Sequence, residues 1–275
     1  CLVGSEMCIR DSKAAPQHPA PGTQLPFVGG NNFRELGGYE ADEGKHVKWG
    51  QIYRGIPTGL LTGTADRKLL DSLGLRLILD LRSESEAAEQ PDYVPDGARL
   101  VRICGLCLEN GKEVDFSPED RENLLKGMPD EGRRMADAMY ERMLFGNKAY
   151  KELFRALEAG ETPILFHCSA GKDRTGVLCA TLLRATGADE DAIMEDYLRV
   201  NTDHADLIAE EAAHLDGGMT DHERAILMSF LEARPAYLRA YFDEIDRLYG
   251  SFATYLREGL HLTNEAIESL RALVA

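Results

Sequence analysis

The sequence predicts an α/β protein with a central, mostly parallel sheet flanked by helices and a helical C-terminal part. Short apolar runs alternate with amphipathic segments through the first two thirds of the chain, and from residue 188 onward the pattern is almost wholly helical. The run LRLILDL at residues 75–81 is nearly continuous in apolar residues. It has the length of a strand that is buried on both faces of a parallel sheet.

Turn-forming residues and changes of periodicity bound each predicted element. The first helix covers residues 64–73 and ends at Gly74, because glycine accepts the left-handed backbone found at helix ends. The other predicted strands are residues 51–54, 98–104 and 163–167. The other predicted helices are residues 135–145, 150–157, 174–185 (followed by Gly187) and 264–273, with a further helix start at residues 117–119, where proline takes the first helical position.

Length and composition describe a globular chain and exclude several classes of protein. Of the 275 residues, 44% are hydrophobic and 28% are charged. The apolar runs are far shorter than the roughly 20 residues of a membrane-spanning helix. The chain has 31 basic and 47 acidic residues, which give a net charge of −16. This charge repels nucleic acid and also anionic substrates. Any phosphate site must therefore be a local region of strongly positive potential. Six cysteines are too few for a disulfide scaffold, which favours a reducing, cytoplasmic location.

The N-terminal residues differ from the rest of the chain. The sequence begins with Cys1, and residues 1–12 (CLVGSEMCIRDS) lack the charged start, apolar core and cleavage site of a signal peptide. They resemble translated adapter read-through, and we expect them to be a sequencing artefact. Several prolines follow, up to Pro26. We expect residues 1–26 to form a disordered lead-in and residues 27–275 to form a single, monomeric domain.

A loop of small residues follows the predicted strand 163–167 and precedes a predicted helix. It reads HCSAGKDRTG at residues 167–176. Helix N-termini at the carboxyl ends of strands bind anions. In a loop of small residues, successive backbone amides can point into one concavity. Gly171 permits the backbone geometry that this arrangement needs. The expected phosphate site consists of His167, Cys168, Ser169, Ala170, Gly171, Lys172, Asp173, Arg174 and Thr175.

The residue types in this loop predict nucleophilic catalysis. Cys168 opens the loop at the focus of the amide dipoles, which predicts a thiolate at neutral pH. Arg174 closes it, and its planar guanidinium can grip two phosphate oxygens. Thr175 can donate its hydroxyl to the thiolate, and His167 can orient the loop from behind. Packing explains a lone cysteine and solvation a lone arginine, but neither explains their joint spacing, and the Walker-type phosphate loop is absent.

The loop resembles the signature of cysteine-dependent protein tyrosine phosphatases and, more narrowly, that of a bacterial tyrosine/lipid phosphatase family typified by mycobacterial phosphatase B. Weaker matches occur in the family's order: NFRELGGY at 32–39, YRG at 53–55, LDLRS at 79–83, YFDEIDRLYG at 241–250 and YLREGLHLT at 255–263. The resemblance implies a protein-tyrosine-phosphatase-like fold. It also implies a two-step reaction in which Cys168 forms a cysteinyl-phosphate, a general acid protonates the leaving oxygen, and water hydrolyses the intermediate. No cofactor or metal is expected, because Arg174 and the loop amides stabilise the charge.

The general acid and the substrate class depend on few residues. The single tryptophan, Trp49, is followed by glycine, so the Trp-Pro-Asp motif of many tyrosine phosphatases is absent. The resemblance places the acid at Asp173; the alternative is Asp80, at the end of a buried strand, unless it is a structural partner of Arg82. Lys172 resembles a lysine that contacts inositol phosphates in lipid phosphatases, or it only raises the local positive potential. The expected substrates are proteins phosphorylated on tyrosine. Proteins phosphorylated on serine or threonine, and phosphoinositides, are further expected substrates.

Other cysteines and histidines have simpler structural interpretations. Cys104 and Cys107 form a C-x-x-C pair, for which packing is favoured because no second ligand pair for zinc is present. A protective disulfide between Cys179 and the nucleophile is disfavoured. The histidines of the charged helical region are assigned to the solvated surface, namely His204, His214 and His222.

Residues 205–215 and 220–231 form two amphipathic stretches with Gly217-Gly218 between them as a hinge. In the resembling family a helical lid covers the active site in this part of the chain, and a mobile lid excludes water. An ordinary helical hairpin is the alternative.

Three other functions compete with the phosphatase prediction. An inositol-polyphosphate phosphatase shares the same loop chemistry. A rhodanese-like sulfurtransferase also carries a loop cysteine before a helix, but the Arg174-Thr175 pair argues against it. A catalytically inactive phosphate-binding module is disfavoured because Cys168, Asp173 and Arg174 are all present.

Overall fold

A five-stranded sheet lies at the centre of the part of the chain that a computed structural model describes, residues 18–41, 44–107, 113–114, 139–215 and 220–275. The strands are β1 (Arg34–Glu35), β2 (Ile52–Gly55), β3 (Leu77–Asp80), β4 (Arg99–Arg102) and β5 (Ile164–His167). Their spatial order is β1-β2-β5-β3-β4. All neighbouring strands pair in parallel except β1 with β2. The mostly parallel sheet predicted from the sequence is therefore confirmed.

The central strands β2, β3 and β5 are buried on both faces of the sheet. In β3, Leu77 and Leu79 pack into the larger core on one face, whereas Ile78 packs into the smaller core on the other face. In β5, Phe166 and Leu165 divide in the same way. Successive side chains of a strand point to opposite faces, so a strand covered on both sides must be apolar at every position. This explains why residues 75–81 are a continuous apolar run.

The helices agree with the predicted ones to within a few residues. They are α1 (Thr64–Ser72), α2 (Glu84–Glu89), α3 (Asn147–Glu158), α4 (Asp173–Ala185), α5 (Glu190–Leu198), α6 (Val200–Asp203), α7 (Ala205–Leu215), α8 (Asp221–Leu231), α9 (Pro235–Tyr249), α10 (Phe252–Thr254) and α11 (Asn264–Arg271). The predicted helix 135–145 is described from residue 139, where helical residues lead into a 3-10 turn at Met143–Gly146. The predicted helix start at 117–119 and the hinge at 217–218 lie outside the described residues. Among the described helices, none has the length and apolar character that crossing a membrane requires.

The ordered N-terminal boundary lies earlier than predicted. Gln24 forms an antiparallel bridge to β1, and the Leu25 amide donates to the Phe33 carbonyl at 2.8 Å. These contacts extend the edge of the sheet to Gln24 and Leu25, which precede the expected start of the domain at residue 27. At the other end of the chain, Ala275 and His46 exchange backbone hydrogen bonds of 2.9 and 3.0 Å. The last residue of the chain is therefore tied to the segment that precedes β2.

Candidate active site

The carboxyl ends of three parallel strands lie at the same level. His167, the last residue of β5, is in register with Gly55 of β2 and Asp80 of β3. The Leu81 amide extends the pairing by donating to the His167 carbonyl at 2.8 Å. The segments that follow these strands therefore meet the predicted loop, residues 168–172, which leads directly into α4.

Gly171 occupies the tightest point of this loop. Its φ is +62°, in the left-handed region that side chains other than hydrogen rarely accept. A Cβ at this position would lie 2.5 Å from the Gly55 carbonyl oxygen and 2.7 Å from Asn32 Nδ2. The geometry expected of Gly171 is present, and it serves close packing of the loop against the end of β2.

Two side chains from the weaker matching stretches hold the loop backbone. Asn32 Nδ2 donates to the carbonyl oxygens of Ala170 and Gly171, each at 3.0 Å, and Arg54 Nη2 donates to the Gly171 carbonyl at 2.8 Å. In a trans peptide the N–H points away from the preceding C=O. The amides of Gly171 and Lys172 are thus directed away from these contacts, toward the concave side of the loop.

Asp196 of α5 supports this arrangement from behind. Its Oδ2 accepts a hydrogen bond from Arg54 Nη1 at 2.5 Å, and its Oδ1 accepts one from the Tyr39 hydroxyl at 3.0 Å and lies 3.5 Å from Arg34 Nε. Burial opposes ionisation of this carboxyl, but the two guanidinium groups outweigh burial and lower its pKa. The NFRELGGY and YRG stretches therefore meet at one buried carboxylate beneath the loop.

The N-terminus of α4 offers amides to an anion. The residue at its N-cap, Lys172, makes no side-chain hydrogen bond to the helix, so the first amides lack the partner that a capping side chain supplies. In the first turn, Thr175 Oγ1 is buried and has no hydrogen-bond partner among the described residues. The expected hydrogen bond from Thr175 to the Cys168 thiolate is thus not formed here.

Cys168 and Arg174 lie together at the two ends of the loop. Cys168 is buried, with 3% of its surface exposed, and its thiol is free. Burial opposes the charge of Arg174, but hydrogen bonds from Arg174 to Glu86 and the proximity of Cys168 outweigh burial and raise the Arg174 pKa. The sulfur and the guanidinium are therefore close enough to interact electrostatically.

Glu86 of α2 fixes the position of that guanidinium, a role that sequence reasoning missed. Arg174 Nη1 and Nη2 donate to the two Glu86 carboxylate oxygens at 2.6 and 2.8 Å, and Ser169 Oγ donates to Oε1 at 2.5 Å. Although burial alone raises the pKa of Glu86, these donors lower it to about 2. Glu86 is also the third helical residue after Ser83, which caps α2 in a reciprocal capping box. That spacing was visible in the sequence, but it indicates only a helix start.

Asp173 and Lys172 contact groups from outside the loop. Asp173 Oδ1 accepts a hydrogen bond from the Tyr140 hydroxyl and lies 3.4 Å from Lys172 Nζ. Lys172 is buried, and its ammonium donates to the carbonyl of Phe230, at the end of α8, and to that of Glu232 at 3.3 Å. Of the two roles considered for Lys172, neither is tested here: its ammonium is bound by carbonyls at the C-terminal end of the second amphipathic stretch.

Asp80, the alternative general acid, is engaged in a structural ion pair. Its carboxylate accepts hydrogen bonds from Arg82 Nε and Nη2 at 2.8 and 2.9 Å, and it is almost fully buried. Arg82 also donates to Asp92 Oδ2 at 2.7 Å, and His167 Nε2 lies 3.2 Å from the same oxygen. These carboxylates and the imidazole have the spacing of metal ligands, but the guanidinium of Arg82 already lies between them. Asp80 is the structural partner of Arg82, and His167 anchors the end of β5 behind the loop.

Within the described part of the chain, the other cysteines are packed thiols, as expected for Cys104 and Cys107. Cys104 donates to the Leu106 carbonyl at 3.2 Å, and burial raises its pKa to about 11. Cys107 contacts the Cys104 carbonyl at 3.7 Å, and Cys179 donates to Asp196 Oδ2 at 3.2 Å. All are free thiols.

The surface assignment of His204 is wrong. Only 5% of this residue is exposed, because it lies at the turn between α6 and α7 beneath the loop. Burial is the main reason that its pKa falls to about 4. The polar, charged sequence around it indicated a solvated helix and did not reveal that this turn faces inward. The side chains of His214 and His222 are not among those that the structure describes.

A parallel sheet with a cysteine and an arginine at the two ends of an amide-lined loop defines the class of cysteine-dependent phosphatases. A sequence model of the tyrosine phosphatase family matches residues 25–275. The chain belongs to this family and is a protein-tyrosine-phosphatase enzyme.

Individual relatives extend over nearly the whole chain. A Cupriavidus necator protein, named provisionally as a tyrosine-protein phosphatase, is 32% identical over 263 residues, which are 93% of this chain and 92% of that protein. The triple specificity protein phosphatase PtpB of Mycobacterium tuberculosis is 30% identical over 262 residues, 86% of this chain and 92% of PtpB. Among solved structures, P. aeruginosa TpbA in complex with phosphotyrosine is 16% identical, covers 67% of this chain and 90% of its own, and has a TM-score of 0.32.

Proposed function

We propose that this chain hydrolyses phosphotyrosine through a cysteinyl-phosphate intermediate, with Cys168 as nucleophile, Asp173 as general acid and Arg174 as the transition-state clamp. The observation that carries the proposal is the loop itself. Its carbonyls are tied outward by Asn32 and Arg54, which leaves amides for the phosphoryl oxygens beside a buried sulfur. Such preorganised donors stabilise the charge that moves onto the equatorial oxygens.

The two steps follow from these groups. The Cys168 thiolate attacks phosphorus in line, and the P–O bond to the leaving group breaks as Asp173 protonates the leaving oxygen. Asp173 then takes a proton from the water that attacks the cysteinyl-phosphate, which restores the thiolate and releases phosphate. Asp173 is favoured over Asp80 because its side chain is 30% exposed, whereas that of Asp80 is held by Arg82.

The test is a pair of cysteine variants. In Cys168→Ser we expect a phosphotyrosine peptide to bind with nearly unchanged affinity while turnover vanishes, because a serine hydroxyl is a much poorer nucleophile than the thiolate it replaces. Cys107→Ser is the matched control and should retain turnover. Full turnover by Cys168→Ser would refute the proposal.

We extend the proposal to phosphoserine, phosphothreonine and phosphoinositide substrates. Support comes from PtpB, which is described as having triple specificity, and from Lys172 beside the loop. Because the Lys172 ammonium is bound by carbonyls at the end of α8, phosphoinositide hydrolysis requires that those contacts be exchanged for a headgroup phosphate. A substrate panel distinguishes these activities. It consists of phosphotyrosine and phosphoserine peptides, phosphatidylinositol 3-phosphate, phytate and thiosulfate. Turnover of phytate alone would indicate inositol-polyphosphate hydrolysis, and turnover of thiosulfate alone would indicate sulfur transfer.

A further inference from the structure

The carboxylate of Asp173 is held on one side only. The Tyr140 hydroxyl and the Lys172 ammonium both approach Oδ1. Among the described residues, no hydrogen bond or ion pair reaches Oδ2. The side chain is 30% exposed, and Oδ2 is the oxygen that the described protein groups leave unbound. The arrangement separates an oxygen that is bound by protein from one that can exchange a proton.

A second tyrosine sets the direction of this hydrogen-bond chain. The hydroxyl oxygens of Tyr140 and Tyr197 lie 2.6 Å apart, and both residues are 1% exposed. A phenol has a single proton to donate, so when Tyr140 donates to Asp173, Tyr197 must donate to Tyr140. Burial raises the pKa of both tyrosines well above 10, which keeps both hydroxyls protonated.

We propose that Tyr140, supported by Tyr197, is a positioning residue for the general acid: it fixes Oδ1 of Asp173 so that Oδ2 carries the proton to the leaving oxygen. This inference rests on the assignment of Asp173 proposed above. When the Oδ2–H bond breaks and the leaving oxygen takes the proton, a negative charge stays on Asp173, and the Tyr140 hydroxyl donates to that charge. Hydrogen bonds to a charged group are stronger than those to a neutral one, so Tyr140 favours the product of proton transfer.

The other charged groups near Asp173 are already engaged. Lys172 is shared with the carbonyls of Phe230 and Glu232. From the segment after α8, the Glu232 carboxylate pairs with Arg234 at 3.2 Å. His204 lies near Lys172, and its pKa of about 4 keeps it neutral at neutral pH. Tyr140 is thus the neutral donor whose removal changes Asp173 without adding or deleting a charge.

The experiment is the pH dependence of kcat/KM for Tyr140→Phe with phenyl phosphate and p-nitrophenyl phosphate. The general acid must be protonated, so activity falls with rising pH on the alkaline limb. Without the Tyr140 donor the negative charge left on Asp173 is less well stabilised, and we expect the alkaline limb to move to higher pH. We also expect turnover of phenyl phosphate, whose leaving group needs the proton, to fall about tenfold, and that of p-nitrophenyl phosphate to change little. Tyr197→Phe should move the limb in the same direction by less.

Tyr237→Phe is the matched control. The Tyr237 ring packs 5.3 Å from that of Tyr140, but its hydroxyl donates to the Ser229 carbonyl at 2.8 Å, so its removal should leave the alkaline limb in place. A limb that disappears in Asp173→Asn but does not move in Tyr140→Phe would overturn the positioning role alone. A limb that persists in Asp173→Asn, with phenyl phosphate turnover retained, would instead remove Asp173 from its proposed role, and Tyr140 with it.

Discussion

A single carboxylate, that of Glu86, decides where the guanidinium of Arg174 points. Arg174 donates to both Glu86 oxygens through its terminal nitrogens, and Ser169 of the loop donates to the same carboxylate. A free arginine side chain loses about 2 kcal/mol of rotamer entropy when it is ordered. Because Glu86 orders it before substrate arrives, that cost is already met in the folded enzyme. The fork is thus preorganised beside Cys168.

The variant Glu86→Gln tests this preorganisation. The amide keeps the shape of the side chain but removes the charge and one of the two acceptor oxygens that face Arg174. We expect kcat/KM for p-nitrophenyl phosphate to fall by about 10²–10³-fold, similar to the loss of an oxyanion donor. Glu84→Gln, on the same helix but exposed, should behave like the wild type. Equal activity of the two variants, with Glu86→Gln folded by circular dichroism, would contradict the role of Glu86.

The loop and its supports are separate elements of the chain, and this limits what sequence can reveal. The strand before the loop and the helix after it were predictable because apolar runs and helix ends are local patterns. Asn32 and Ala170 are 138 residues apart, and Glu86 and Arg174 are 88 apart. No local periodicity links such pairs. The family resemblance marked the stretches that contain Asn32 and Arg54, but it did not say what those side chains hold.

Lys172 is a second example of contacts that the local sequence does not reveal. Its position in the loop indicated either a substrate contact or a contribution to the local positive potential, and the local sequence carries no sign of the carbonyls that bind it. Those carbonyls belong to the end of α8, 58 and 60 residues away. Helix C-termini attract cations because their last carbonyls lack partners within the helix. The predicted helices were present, but which end meets the loop is a property of packing.

The variant Asn32→Ala tests whether the outward tie of the loop carbonyls matters for catalysis. It removes two hydrogen bonds of 3.0 Å to Ala170 and Gly171, and a third in which Asn32 Oδ1 accepts from Arg34 Nη1. The catalytic side chains stay in place. We expect the free energy of unfolding to fall by about 1–3 kcal/mol and kcat/KM to fall more than tenfold, because the amides are no longer fixed. The control is Asn31→Ala at the exposed neighbouring position. A loss of stability with unchanged kcat/KM would show that loop order comes from elsewhere.

Across the whole molecule, the distribution of charge differs from what composition indicates. The net charge is −16, yet several arginines are buried around the loop, namely Arg34, Arg54, Arg82 and Arg174. Each is paired with at least one buried carboxylate, as an interior ion requires. The interior beneath the site is therefore balanced in charge and not basic. The local exception that a phosphate site in so acidic a chain needs comes instead from the loop amides, the N-terminus of α4 and the Arg174 guanidinium beside Cys168.

Such buried pairs make folding stability depend on pH in two separate windows. The pKa of His204 is about 4 in the folded chain against an ordinary value of 6.5. As the pH falls below 6.5 the unfolded chain binds this proton first, so stability declines until about pH 4. The pKa of Glu86 is about 2 against an ordinary 4.5, so its stabilisation is complete above pH 4.5 and is lost as the pH falls toward 2. Each group contributes about 3 kcal/mol to the pH dependence.

Urea unfolding measured between pH 7 and pH 2 separates these two contributions. In the wild type we expect the free energy of unfolding to fall first between pH 6.5 and 4 and again below pH 4.5. His204→Asn should flatten the first decline and keep the second. Glu86→Gln should keep the first decline and reduce the second without removing it, because the pKa values of Asp92 and Asp196 are lowered as well. As the control, His46→Asn replaces an exposed histidine and should keep both declines. A first decline that survives in His204→Asn would place the responsible proton on another group, since a side chain that does not titrate cannot carry the linkage.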